Sequence, residues 1–145
     1  MTQTLIIAIG NVARGDDGTA HRVASRLLAA GLPDGVRLLT AVGLDIAMAA
    51  DVAACDRLVV VDAERRAQPA VDTRPIVAGT AAHSGHSIDA SGLLAVTTAL
   101  YDVSPEALVV GVASPEMGHA EGLSATAQAA SIEAACVILE MLRES

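Results

Sequence analysis

The stretch Leu5-Ile6-Ile7-Ala8-Ile9-Gly10-Asn11-Val12-Ala13-Arg14-Gly15-Asp16-Asp17-Gly18 decides the fold. A short apolar run stops at a glycine, and a polar, glycine-punctuated turn follows. Helical periodicity then begins, with Ala20, Val23, Ala24, Leu27 and Leu28 at the spacing of one buried face. A buried strand, a tight turn and a helix over 17–30 are therefore expected, ended by Gly31 and Pro33. In an open α/β sheet such a turn faces the crevice at the carboxyl ends of the strands, where ligands bind. An Asp at a helix start can serve as a cap and complement the helix dipole. Two adjacent ones, with no Lys nearby to pair with, exceed that need.

The same alternation continues along the chain. Val36–Thr40 reads as a second strand, and Asp45 can cap a short Ala-rich helix over 46–53. Leu58–Val61 is a buried strand ending at Asp62. Residues 73–78 read as a further strand that Pro75 pushes to a sheet edge. Ser87 can cap a helix through Tyr101, Leu108–Val112 is a strand, and a last helix runs from near Ser124 to Arg143. Ile132, Cys136, Leu139 and Leu142 are expected on its inner face. This order predicts a three-layer α/β/α sandwich with a mostly parallel, twisted sheet of about five strands. Strands apolar on both faces agree with that, since parallel sheets are covered on both sides. No repeat or linker interrupts the pattern, so residues 1–145 are expected to form one domain.

Composition narrows the chemistry. Hydrophobic residues make up 52% of the chain but aromatics only 1%, so the core must be built from aliphatic side chains and no stacking platform exists for bases. The net charge of −8 argues against a nucleic-acid partner. All nine basic residues are Arg, which excludes Schiff-base chemistry and a P-loop lysine. It also disfavours a phosphorylatable receiver domain, which needs a Lys at the end of its last strand. Cys55 and Cys136 form no CxxC pair and are expected as small core residues. No signal peptide or membrane span is read, so a cytoplasmic protein with no membrane partner is expected. GxSxG and HExxH are both absent.

Three residues share one topological address. Asp17 follows the first strand, Asp62 ends the third, and His86 precedes the helix over 87–101. Two carboxylates and an imidazole suit a borderline divalent ion such as nickel, zinc or iron, with coordination positions left open. They do not make a closed structural zinc site. His83 could add a second imidazole, His119 could line the crevice rim, and His21 is expected at the surface.

Several segments together resemble the hydrogenase maturation endopeptidases. They are Gly10-Asn11 with Gly15-Asp16-Asp17-Gly18, then Asp56-Arg57-Leu58-Val59-Val60-Val61-Asp62-Ala63, then His86 ahead of Leu93-Leu94, and finally Glu116 with Gly122-Leu123-Ser124. They stand in the family's order and span almost the whole chain. The resemblance implies a twisted sheet flanked by helices. It also implies removal of a C-terminal extension from the large-subunit precursor of a nickel–iron hydrogenase after nickel insertion. The family's metal-contacting, catalytic positions fall on Asp17, Asp62 and His86, the first often Glu in relatives. The metal is then nickel carried by the precursor, and no tightly bound metal of the enzyme's own is expected. Where many relatives carry Asp-Gly-Gly-Thr/Ser after the second strand, this chain has Leu39-Thr40-Ala41-Val42-Gly43-Leu44. A second reading, favoured by the lack of a visible nucleophile, is a non-catalytic metal- or hydrogenase-precursor-binding protein on the same fold.

Overall fold

Alternate residues of the central strands enter two separate cores, and this sets the layering. The computed structural model describes residues 2–79, 88–118 and 121–144. Its strands are β1 (Thr4–Ile9), β2 (Val36–Ala41), β3 (Arg57–Glu64), β4 (Val71–Pro75) and β5 (Glu106–Ala113). Its helices are α1 (Thr19–Ala30), α2 (Ala49–Ala53), α3 (Ala90–Tyr101) and α4 (Ala125–Arg143). Ile6, Ala8, Val59, Val61, Val110 and Val112 face α1 and α4. Leu5, Ile7, Leu58 and Val60 face α2 and α3. The period of two along each strand places successive side chains on opposite faces.

The strand order is β2-β1-β3-β5-β4. All neighbours are parallel except β4, which runs antiparallel to β5 at the edge, where Pro75 is tolerated. From β1 the chain turns to β2 on one side and then crosses to β3 on the other. The β1–β3 gap is therefore the topological switch point.

The structure corrects several boundaries. β3 runs on to Glu64, past Asp62, and β4 begins at Val71 rather than residue 73. The first helix begins at Thr19, after a 3-10 turn over Asp16–Gly18. Asp45 caps as expected, accepting from the Ala47 N–H at 2.8 Å. The cap of α3 is Asp89, which accepts from the Gly92 N–H at 2.7 Å, and Ser87 lies outside the described residues.

Two helix faces also differ from expectation. Leu28 is 61% exposed because the buried stripe of α1 is centred on Ala20, Val23, Ala24 and Leu27. On α4 the buried side chains are Ala127, Ala130, Ser131, Ala134, Ala135, Ile138 and Leu142, while Ile132 is 50% exposed. Cys136 is exposed, against expectation, whereas Cys55 is half-buried and packs against the α2–α3 core. Leu139 and Leu142 lie on the inner face as expected, and small side chains fill the rest of it, letting α4 approach α1 and the sheet closely. Arg26 Nε fastens the helix pair by donating to Ser131 Oγ at 3.0 Å. By length and composition α4 could also span a membrane, but its alanine face is buried in this core.

Candidate functional site

Backbone geometry at Gly10 shapes the turn after β1. Gly10 has φ 145°, and a Cβ there would run into the Asp17 carbonyl, so any other residue would push the turn open. The Asp17 side chain bends back over it, with Oδ2 accepting the Asn11 N–H at 3.0 Å. Neither aspartate caps a helix: the N-cap positions are Gly15 and Gly18, without side-chain bonds.

Asp16 has a different job. It is fully buried, and its carboxylate accepts from the Glu116 N–H at 2.8 Å and from both the N–H and the hydroxyl of Ser124 at 2.7 Å. Its own N–H and C=O bond to the Glu116 carbonyl and the Thr19 hydroxyl. This one side chain ties the β1 turn to the segment after β5 and to the start of α4. Ser124 in turn caps α4, accepting from Ala127 N at 3.1 Å. Asp17 is thereby fixed from its neighbour and keeps one carboxylate oxygen without a backbone bond among the described contacts.

Asp62 lies in β3 directly beside Ile9, the last residue of β1, and beside Gly111 of β5. The 3-10 turn over Asp16–Gly18 packs against β3. Asp62 is held up at about 6 by burial first, then by the charges of Glu64 and Asp17. The two expected carboxylates therefore do share one end of the switch point, within electrostatic reach of each other. Glu64, one step further along the same face, was not singled out from the sequence. Its carboxylate lies over Gly111, where a Cβ would collide with it, and it pairs with Arg66 and Arg74. Burial pushes Glu64 up, but those two guanidiniums outweigh it and hold the group below its ordinary value.

His86, His83 and His119 lie outside the described residues. Among the described residues, no group of three His, Cys, Asp or Glu side chains could hold a metal. His21, expected at the surface, is half-buried, and its Nε2 contacts the carbonyls of Gly10 at 2.8 Å and Ala41 at 3.2 Å. Since both partners are acceptors, Nε2 carries the proton. His21 joins the exit of β1 to that of β2. Cys55 is at the amino-terminal end of β3, and burial pushes its thiol up, away from nucleophile chemistry. A cavity of about 580 Å³ also opens at that far edge, lined by Thr4, Asp34, Asp56 and Arg57, at the opposite end of the strands from Asp17 and Asp62.

Solved structures share this fold over nearly the full chain. A hydrogenase maturating endopeptidase HybD from E. coli is 24% identical, with a TM-score of 0.76, covering 98% of this chain and 93% of its own. A [NiFe] hydrogenase maturation protease HycI from Thermococcus kodakarensis KOD1 is 23% identical with a TM-score of 0.73, over 98% and 93%. A hydrogenase 2 maturation peptidase from Thaumarchaeota archaeon SCGC_AB-539-E09 is 22% identical with a TM-score of 0.72, over 99% of both chains. Neither a protein-family model nor a curated protein matches the sequence. The chain thus has the fold of the hydrogenase maturation proteases, the fold that the sequence resemblance implied.

Proposed function

We propose that this chain is an endopeptidase that, in the cytoplasm, removes the C-terminal extension of a nickel–iron hydrogenase large-subunit precursor once nickel is in place. The observation that carries this reading is the meeting of Asp17 and Asp62 at the β1–β3 switch point of a fold shared with hydrogenase maturation proteases. We assign the third position to His86. In support, the short connection over 102–105 joins the end of α3 to the amino end of β5, so α3 begins at the carboxyl edge of the sheet.

Nickel belongs to the substrate in this scheme. Two carboxylates and an imidazole are donors that a borderline divalent ion accepts, and the remaining positions are left to the precursor's own ligands. Asp17, Asp62 and His86 would recognise the loaded precursor and hold its scissile segment beside them. Positioning of this kind converts a loose encounter into an oriented one. The second reading, a precursor-binding protein without catalysis, draws support from the hydroxyls near the site. Ser114 Oγ is bonded to Thr19 and Val112, and Ser124 Oγ to Asp16.

Purified protein mixed with nickel-loaded and nickel-free precursor separates these readings on a gel. Shortening of the loaded precursor alone is the expected result. Equal processing of the nickel-free form would overturn the nickel dependence, and no shortening of either would leave the binding protein.

A further inference from the structure

Gly111 lies inside β5, where a glycine weakens a strand. Its φ is outside the left-handed region, so the backbone makes no demand for it. What a Cβ there would meet is the carboxylate of Glu64, with both oxygens inside contact distance. In register, however, Glu64 stands beside Ala113, one row further along the same face. Its side chain therefore leans back across β5 toward the edge strand β4. Three donors hold it there: Arg66 Nη1 and Arg74 Nη1 on Oε1, and Arg74 Nη2 on Oε2. Arg66 is anchored in turn on the carbonyls of Gly111 at 3.2 Å and Pro69 at 3.1 Å, and Arg74 on the Asp72 carboxylate.

The residue paired with Gly111 on β3 is Asp62. On its other side Asp62 stands beside Ile9 of β1, toward the turn that carries Asp17. On the β5 side Gly111 offers no side chain, and the Glu64 carboxylate occupies that space. Burial acts on Asp62 first, and the Glu64 charge next, ahead of that of Asp17. Behind Glu64 lie the two guanidiniums. Without its carboxylate they would face Asp62 across a bare glycine.

Resting on the reading of Asp62 as a contact for the precursor's nickel, we propose that Glu64 is a positioning residue. Its pinned carboxylate shields Asp62 from Arg66 and Arg74 and keeps the Asp62 side chain turned toward Asp17. Like charges repel across the short gap over Gly111. A divalent ion between Asp17 and Asp62 relieves the repulsion of that pair. On the other flank Glu64 is already saturated by guanidiniums and has no room to give. Asp62 is thus turned to the side from which the loaded precursor arrives. A plain tie between β3 and β4 would use the same ion pairs, and the two roles separate by which partner is removed.

The test compares Glu64→Gln, Arg74→Gln and the double variant, each as the intact protein, for binding to immobilised nickel-loaded and nickel-free precursor. Glu64→Gln uncovers the guanidiniums, so affinity for the loaded form should fall roughly tenfold while that for the nickel-free form stays unchanged. Arg74→Gln breaks the same ion pair but leaves Glu64 on Arg66, and the loss should stay below about twofold. In the double variant the loss should shrink to under about threefold, because a cation that draws Asp62 away is gone too. A crystal structure of Glu64→Gln should place the Asp62 carboxylate over Gly111, toward Arg74. Equal losses in the two single variants, or losses that strike both precursor forms alike, would mean a tie between strands and overturn the positioning role. An Asp62 side chain that stays in place would overturn it as well. If wild type binds both forms alike and cuts neither, the endopeptidase falls, and the orientation of Asp62 in Glu64→Gln still decides the role of Glu64.

Discussion

The carboxylate of Asp16 accepts two hydrogen bonds from Ser124, one from its N–H and one from its hydroxyl, each at 2.7 Å and across 108 positions of sequence. Through this pair the start of α4 is locked to the turn that presents Asp17. Replacing Asp16 by Ala would strand three donors in a buried place, so unfolding in urea should reveal a loss of about 3–5 kcal/mol. Asp16→Asn can accept at one oxygen only and should lose about half of that. A variant as stable as wild type would show that the clamp is dispensable.

Asp17→Asn should leave stability within about 0.5 kcal/mol, because the amide oxygen can still take the Asn11 N–H. Its effect belongs to the reaction. Processing of nickel-loaded precursor, followed by gel, should fall at least about a hundredfold if Asp17 supplies charge to the site. Full processing by this variant would remove Asp17 from the mechanism.

Asp62 carries a stability penalty that depends on pH. Its pKa is raised from 3.8 to about 6 on folding, so the folded protein prefers the neutral acid. The penalty is complete above pH 6 and fades as pH falls from about 6 to about 4, where the unfolded chain is protonated too. Asp62→Asn should therefore be more stable than wild type at pH 7.5, by up to about 2 kcal/mol after allowing for partial solvent screening. That advantage should vanish near pH 4. Glu64 titrates in the opposite sense, its ion-pair stabilisation being lost as pH falls, so only the difference between wild type and Asp62→Asn isolates Asp62. A constant difference between the two proteins across pH 4–8 would contradict the assignment.

Two isoleucines of α4 test which face is inside. Ile138 is fully buried and Ile132 is half exposed. Ile138→Ala should cost about 2–4 kcal/mol by thermal or urea unfolding, and Ile132→Ala under about 1 kcal/mol. The reverse order would mean that α4 is rotated on the sheet.

Gly10→Ala should be among the most damaging single changes outside the core. It imposes a Cβ on a positive φ and on the Asp17 carbonyl at once. A loss of at least about 3 kcal/mol is expected, together with loss of processing by whatever protein remains folded. Retained stability would show that the turn can open without harm.

The features legible in the sequence are local and periodic. Unbroken aliphatic runs such as Leu58–Val61 declare strands covered on both faces, and Gly10 and Pro75 mark a turn and an edge. The Asp45 cap needs only a near neighbour. The shared address of Asp17 and Asp62 was legible for the same reason, because the carboxyl ends of parallel strands come to one edge whatever the details.

Which aspartate is clamped and which stands beside Asp62 follows from tertiary contacts. Asp16 and Asp17 are chemically identical neighbours, and only contacts a hundred residues away bury one and leave the other beside Asp62. His21 looked like a surface residue because its partners, the Gly10 and Ala41 carbonyls, arrive from the ends of two strands. On α4 the expected Leu139 and Leu142 do pack on the core, but Ile132 and Cys136 do not, because Ala130 and Ala134 fill the inner face where close helix packing rewards small size. Periodicity reports which residues share a face. Which face is buried, and which carboxylate finds partners, depends on surfaces that exist only once distant segments meet.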